Sequence, residues 1–176
     1  MRLNLRLAKS IMEQEEGMNH LWIQIFPADF STVVKAEVCI ELPNGLHRAP
    51  NLNGYDESES KIIWLEISQD KDIFVELYTQ AAVDCGEALI TVTLRYKDQS
   101  NSCKELIQQI PIRFVSEDDM DDLEIDEQLI EHLKELGSST GILPKTEIEF
   151  VNIQPKIVDL RSNKYAYLEK KYRVDY

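Results

Sequence analysis

The sequence has few positive charges and no long apolar segment. Its 176 residues carry 19 Lys and Arg against 32 Asp and Glu, a formal net charge of −13. Proteins that bind nucleic acids need a positive surface to displace counterions from phosphates, so this balance argues against a nucleic-acid partner. An anionic membrane surface would also repel the chain, and no apolar run approaches the roughly 20 residues of a membrane-spanning helix. We therefore expect neither nucleic acid nor membrane as a partner.

Cysteine is scarce as well. Cys39, Cys85 and Cys103 form an odd set without a CxxC motif. A Cys85–Cys103 bridge would suit a sandwich fold, but a reducing compartment would keep it open. The N-terminal residues alternate polar and apolar side chains and lack the continuous apolar stretch of a secretion signal. These features predict free thiols and a cytoplasmic protein.

The sequence lacks motifs for catalysis and for most kinds of metal site. It contains no GxSxG, P-loop or GxGxxG, and its three histidines do not have the spacing of zinc ligands. The dense acids after Glu117 lack the central glycine that an EF-hand loop needs. We therefore expect no enzyme activity and no cofactor. A looser calcium site, assembled from several loops, remains an alternative with the carboxylates of Asp56, Glu57, Asp118 and Asp119.

What the sequence does have is period-two alternation in its first 115 residues. Seven short runs alternate apolar and polar side chains, with polar turns such as Pro43-Asn44-Gly45 between them. The expected inward-facing sets are Leu3, Leu5 and Leu7; Leu21, Ile23 and Ile25; Ala36, Val38, Ile40 and Leu42; Ile63, Leu65 and Ile67; Ile73, Val75 and Leu77; Ile90, Val92, Leu94 and Tyr96; and Ile110, Ile112 and Phe114. The pattern is typical of a mainly β protein with an immunoglobulin-like, antiparallel two-sheet sandwich. Pro111 removes one ladder hydrogen bond and predicts an edge or a bulge in the last strand.

Two segments resemble a known family. Gly86–Asp98, GEALITVTLRYKD, is similar to the penultimate hairpin arm of bacterial immunoglobulin-like modules of the CARDB-like type. Lys35–Leu46, KAEVCIELPNGL, resembles an earlier strand of these modules, which ends in a Leu-Pro-x-Gly turn. The resemblance covers residues 1–115 and implies a non-catalytic spacer or binding platform. The extracellular location of that family is not carried over.

An acidic segment follows the expected sandwich. Eight of the eleven residues from Glu117 to Glu127 are carboxylates, which places the segment at the surface because so many charges cannot be buried together. Apolar residues recur at helical spacing in Asp121–Leu136, behind an acidic first turn, and predict one amphipathic helix whose charged start is the acidic segment. We expect three parts: a β-sandwich domain at 1–115, an acidic helix at 116–137 and a C-terminal β extension at 138–176.

The outward-facing aromatic residues have two interpretations. Trp22, Phe26 and Trp64 lie opposite the inward-facing positions of their strands. In the interpretation that we favour, the amphipathic helix docks on the sandwich and covers apolar residues of this kind. In the other, the three aromatic side chains form a partner-binding patch.

The C-terminal tail is rich in tyrosine and basic residues. Tyr165 and Tyr167 fit a strand, whereas Tyr165, Leu168 and Tyr172 fit a helix, and we favour the strand. The three tyrosines are candidate partner-binding residues, because the tail could pair with a second copy or fold back on the acidic segment of its own chain.

These features predict a non-enzymatic protein-interaction or assembly module that could self-associate as a homo-oligomer. The alternative is an acidic inhibitor or nucleic-acid mimic whose carboxylates occupy a basic site on a protein partner. Salt separates these two functions, since only a charge mimic loses affinity steeply as ionic strength rises. The carboxylates that would make such contacts are Asp118, Asp119, Asp121 and Asp122.

Overall fold

Nine strands in two sheets precede a 3₁₀ turn and one α-helix in the computed structural model, which describes residues 1–27, 34–97 and 102–139. The strands are β1 (Arg2–Leu7), β2 (Ile11–Glu13), β3 (Met18–Phe26), β4 (Val34–Glu41), β5 (Leu46–Asn51), β6 (Ile63–Ile67), β7 (Lys71–Thr79), β8 (Gly86–Lys97) and β9 (Cys103–Val115). The 3₁₀ turn spans Glu117–Asp122, and helix α1 spans Glu127–Ser139. All of these elements belong to one compact unit, Met1–Leu143.

The strands form a four-stranded and a five-stranded sheet. The four-stranded sheet has the order β1-β3-β7-β5, and the five-stranded sheet has the order β2-β9-β8-β4-β6. In space this matches an immunoglobulin sandwich, in which strands A, B, E and D pack against strands C, F and G. Two features differ from that arrangement: the direction of one strand and the order of two strands in the chain. β2 runs parallel to β9, and the edge strand β5 comes before the edge strand β6 in the chain.

The core lies between the two sheets and is built from the alternating positions. Leu21, Ile23, Val38, Ile90 and Leu94 are fully buried and belong to one apolar cluster. β-branched and leucine side chains at every second position fit the pleated inner faces of both sheets. The predicted fold class is confirmed, since the described residues form a mainly β, two-sheet sandwich followed by an acidic segment and a helix.

The expected count of seven strands is wrong, because β2 and β5 were missed. β2 has only three residues, which is too short to show alternation. β5 has the sequence LHRAPN, in which Pro50 and the buried Arg48 hide the strand pattern. Its register with β7 also shifts between Arg48 and Asn51.

Pro111 lies at an edge, as predicted. The Val115 carbonyl accepts a hydrogen bond from the Gln14 N–H at 2.9 Å, so odd-numbered β9 residues direct their backbone groups away from β8 and towards the β2 side. β2 pairs only with the last three residues of β9, from Arg113 onward. Pro111 therefore faces the stretch before the start of β2, where its missing N–H removes no ladder bond.

The acidic segment is not the start of the helix, which corrects the expected boundary at Asp121. The Ser10 N–H donates to the Glu124 carbonyl at 3.0 Å, and the Asp126 N–H donates to the Ala8 carbonyl at 2.9 Å. Because these groups pair with the β1–β2 connection, they do not form helical hydrogen bonds. Helix α1 consequently begins at Glu127 and continues to Ser139, beyond the expected end at Leu136.

All three cysteines are free, as predicted, and the alternative Cys85–Cys103 bridge is ruled out by the strand register. Cys85 precedes Gly86, which pairs with Phe114 at one end of the β8–β9 ladder, whereas Cys103 pairs with Lys97 at the other end. A strand rises about 3.4 Å per residue, so the two thiols are roughly 35 Å apart. A disulfide requires Cα atoms within about 7 Å.

In the part of the chain that the structure describes, no helix combines the length and hydrophobicity needed to span a bilayer. The expected C-terminal β element, with Tyr165, Tyr167 and Tyr172, lies outside the described residues and stays a prediction.

Candidate interaction surface

Helix α1 closes one outer face of the sandwich. Trp22 of β3 and Phe74 of β7 project from the outer side of the four-stranded sheet and stack with their ring centroids 5.3 Å apart. Leu129 of α1 belongs to the same apolar cluster as these two rings, and all three side chains are buried. His132, one turn further along the helix, places its ring centroid 4.7 Å from that of Trp22. The expectation that the helix docks on the sandwich is confirmed.

Polar groups around Trp22 also hold the helix. The Trp22 Nε1–H donates to the Asp72 carboxylate at 2.8 Å, so its one polar group is satisfied. The Arg6 guanidinium lies 5.1 Å from the Trp22 ring centroid and forms an ion pair of 2.6 Å with Asp126. A guanidinium over an indole face adds cation–π attraction to the apolar contact.

Asp126 has a second role as the N-cap of α1. Its Oδ1 accepts a hydrogen bond from the Leu129 N–H at 3.1 Å, which satisfies one of the backbone donors that a helix start leaves unpaired. The same side chain thus fixes the beginning of the helix and ties it to Arg6 of β1.

Replacing Asp126 with alanine is expected to destabilise the protein by about 1–2 kcal/mol, because the cap contributes about 1 kcal/mol and the partly exposed ion pair contributes up to about 1 kcal/mol. Urea unfolding measures the change. Asp118→Ala is the matched control, since it removes the same charge from an exposed position in the 3₁₀ turn. An equal loss of stability in both variants would mean that Asp126 acts only through the net charge of the protein.

The three aromatic residues of the second interpretation do not share one surface. Trp22 is 2% exposed beneath α1, and Phe26 of the same strand is half-buried with the Arg2 guanidinium 4.5 Å from its ring centroid. Trp64 belongs to the other sheet and is 48% exposed. Of the three, Trp64 keeps the exposure that a binding anchor requires.

The described acidic residues do not form a metal site. Asp118 and Asp119 are exposed, and Asp119 accepts a hydrogen bond from the Ser116 hydroxyl at 2.8 Å. No group of three or more His, Cys, Asp or Glu within the described ranges is placed to hold a metal ion. The alternative calcium site therefore lacks the cluster that it needs. Only the backbones of Asp121 and Asp122 are described, so a contact through their side chains stays a prediction.

Glu57, one of the proposed calcium ligands, is instead the partner of a buried arginine. Arg48 is 3% exposed and pairs with the Glu57 carboxylate, while its guanidinium also donates to the Lys61 carbonyl and, at 3.2 Å, to the Ala49 carbonyl. Burial acts to raise the pKa of Glu57, but hydrogen bonds from Arg48 and Asn51 outweigh it, so the net pKa is lowered. This buried pair secures the loop between β5 and β6.

The outer face of the five-stranded sheet carries a stripe without charges. On this face Leu89 lies opposite Pro111, Thr91 opposite Gln109 and Thr93 opposite Ile107. We call these six residues of β8 and β9 the uncharged stripe. Ile107 is 62% exposed, the highest value among the described large apolar residues. Leu89 is 52% exposed, and only Ile125 has a value between the two.

Charged pairs of opposite sign bound the uncharged stripe at both ends. Arg95 and Glu105 form an ion pair of 2.8 Å at one end, and Glu87 lies opposite Arg113 at the other. Each pair is neutral as a whole, so the two ends of the stripe add no net charge, and the nearest carboxylate along its side is that of Glu41 of β4, opposite Thr91. An uncharged centre with a charged rim is the composition of protein–protein interfaces.

Comparison with known proteins gives only distant structural likenesses. The chain is similar to BcpA, the major pilin subunit of Bacillus cereus, with a TM-score of 0.46 and 12% identity, covering 65% of this chain and 41% of that chain. It is similar to MyfA, the major subunit of Myf fimbriae from Yersinia enterocolitica, with a TM-score of 0.36 and 11% identity over 64% of this chain and 99% of that chain. The periplasmic chaperone SfaE matches with a TM-score of 0.36 and 10% identity over 65% of this chain and 57% of that chain.

No family model and no curated protein matches the sequence. The resemblance to CARDB-like modules therefore stays a prediction, and the fold assignment depends on the two sheets themselves.

Proposed function

We propose that this protein is a non-enzymatic interaction module that binds a protein partner through the uncharged stripe. The observation that carries this proposal is the exposure of Leu89 and Ile107 among uncharged neighbours, in a chain with a net charge of −13. Exposed apolar positions grouped inside a polar rim mark surfaces that other proteins cover. On the opposite sheet, α1 already covers the apolar outer residues.

The chemistry of the stripe favours a protein over other ligands. The Gln109 Nε2 donates a hydrogen bond to the Thr91 Oγ1 at 3.1 Å, which leaves the Thr91 hydroxyl proton and the Gln109 amide oxygen for hydrogen bonds with a peptide backbone. The stripe itself contains no Lys or Arg for phosphate groups.

We also propose a cytoplasmic location, which the exposed free thiols of Cys85 and Cys103 support because an oxidising compartment would modify or pair them.

Substituting the stripe is expected to weaken partner capture. The immobilised Leu89→Lys/Ile107→Lys variant should bind the native partner at least about ten-fold more weakly than wild type, because two ammonium groups would be desolvated in the interface. Met18→Lys/Leu52→Lys is the matched control, since it also adds two charges at exposed apolar positions, but away from the stripe. Capture from the native host, compared across the three proteins, measures the effect. Equal capture by wild type and the stripe variant would overturn the proposal.

An acidic charge mimic is the second candidate, and a specific groove favours it. Glu13, Glu15, Glu16 and Glu117 line a groove of 510 Å³ next to the 3₁₀ turn. A basic partner seated there would be held by charge, and its affinity would fall steeply as salt rises. Binding through the uncharged stripe would be nearly independent of salt, so a salt titration of the captured complex separates the two functions.

A further inference from the structure

β9 has an edge that no described strand pairs with. β8 covers one side of β9 along its length, whereas β2 covers the other side only from Arg113 onward. The odd-numbered residues direct their backbone groups towards this second side, as the Val115–Gln14 hydrogen bond shows. Pro111 lines a groove with Lys9, Ser10 and Ile125, so we call only the part of this side from Glu105 to Gln109 the open edge.

The edge strands β5 and β6 are protected in ways that the open edge is not. β6 is only five residues long, and β5 carries Pro50 and a register irregularity. Short strands, prolines and irregular registers are the usual means by which sheets avoid pairing with another chain. β9 has 13 residues and an unbroken register with β8, so up to Pro111 it offers a regular row of backbone donors and acceptors.

We propose that the open edge pairs with the same edge of a second copy, in antiparallel orientation, about a two-fold axis at Ile107. The two five-stranded sheets then become one continuous sheet of ten strands. This inference rests on the proposed function, because edge pairing brings the uncharged stripes of both copies onto one surface for a protein partner. Backbone hydrogen bonds between the edges would supply the contact, as in other cases of strand addition.

The side chains favour a centre at Ile107. Ile107 would face Ile107 of the second copy, and Glu105 would face Gln109, so the most exposed large apolar residue gains an apolar neighbour and no like charges meet. A centre at Glu105 would oppose two carboxylates. A centre at Gln109 would place Glu105 against Arg113, whose outer side β2 already occupies.

A proline substitution tests the backbone pairing. Gln109→Pro removes an N–H that points to the open edge, at a position equivalent to the native Pro111, and leaves the ladder with β8 intact. Sedimentation equilibrium of the full chain should show a dimer whose dissociation constant rises at least about ten-fold in this variant. Gln109→Ala, which keeps the N–H, should dimerise like wild type. Equal dimerisation of the proline and alanine variants, with native circular dichroism for both, would overturn the proposed edge pairing.

A cysteine substitution tests the register. In a Cys85→Ser/Cys103→Ser background, Ile107→Cys should form an intermolecular disulfide under mild oxidation, because directly paired residues lie within about 5.5 Å. Gln109→Cys should not, because its expected partner in the second copy is Glu105. A disulfide from Gln109→Cys and none from Ile107→Cys would overturn the proposed centre.

Salt and concentration separate this inference from the proposed function. Both copies carry a net charge of −13, so screening should strengthen the dimer as ionic strength rises. A chain that stays monomeric at its highest soluble concentration in high salt would overturn the dimer. Capture of another protein that still depends on Leu89 and Ile107 would, in that case, leave the proposed function standing.

Discussion

Replacing Trp22 with alanine is expected to lower the free energy of unfolding by about 3–5 kcal/mol, the usual cost of truncating a buried aromatic residue. Trp22 is 2% exposed, and it stacks with Phe74 and contacts His132 of α1. The variant also leaves the Asp72 carboxylate without its indole donor and Arg6 without its cation–π partner. Urea unfolding followed by far-ultraviolet circular dichroism measures the loss. Amide exchange should show that α1 opens more readily than the sheets.

The second tryptophan of the chain is the matched control. Trp64 is 48% exposed on the other sheet, so Trp64→Ala removes the same side chain with little change in burial. We expect it to cost less than about 1 kcal/mol. If both alanine variants lost similar stability, the assignment of Trp22 as the residue that anchors the helix would be wrong.

Replacing Arg48 with methionine is expected to have an effect of similar size, about 3–5 kcal/mol, because the partly buried Glu57 carboxylate loses its buried partner. The Lys61 and Ala49 carbonyls lose their donor as well. The double variant Arg48→Met/Glu57→Leu should lose less stability than Arg48→Met alone, since no unpaired charge remains. Denaturant unfolding of the two single variants and the double variant measures this coupling. Additive losses would show that the two side chains act independently.

The same pair gives an expected pH dependence. The pKa of Glu57 is lowered from its ordinary value of 4.5 in the folded protein, so folding favours the deprotonated carboxylate. Its contribution to stability is therefore present above the unfolded pKa and is lost as the pH falls through the folded pKa. Wild type and Glu57→Gln should differ in stability near about pH 7 and converge as the pH falls below the lowered pKa of Glu57. A stability difference that stays constant over this range would contradict the assignment.

The sandwich was predictable because its strands carry the period that a half-buried sheet imposes. Runs such as Leu21, Ile23 and Ile25 have apolar side chains at every second position, and all three are fully buried. β5 was not predicted, because its inward-facing positions include Arg48. The charge of Arg48 is neutralised by Glu57, nine residues further along the chain. An ion pair of this kind depends on the fold and leaves no local pattern.

The helix boundary was missed for a similar reason. The residues before Glu127 have the composition of a helix start, but the backbone groups of Glu124 and Asp126 are already engaged by the β1–β2 connection. Such pairing between distant segments outweighs local helix preference. The acidic segment is thus a short addition to the sandwich, and its Asp126 carboxylate both caps α1 and pairs with Arg6.

The uncharged stripe also has a signal in the sequence, but this signal is not part of the period-two pattern. Adjacent apolar residues occur at Leu89-Ile90 and at Leu106-Ile107, which places an apolar side chain on both faces of the strand. Trp22 and Phe74 show the same feature on the other sheet, and there α1 explains it. On β8 and β9 no described element covers the second face, and this difference underlies the proposed function.

The most direct test of that function is residue-resolved amide exchange of the full chain, alone at low concentration and in complex with its captured partner. Binding through the uncharged stripe predicts slower exchange on β8 and β9, above all at the amides of the stripe residues Leu89, Thr91, Ile107 and Gln109, with α1 and the 3₁₀ turn unchanged. Protection that appears instead at Glu117–Asp122 or on the outer side of α1, with β9 unaffected, would contradict it.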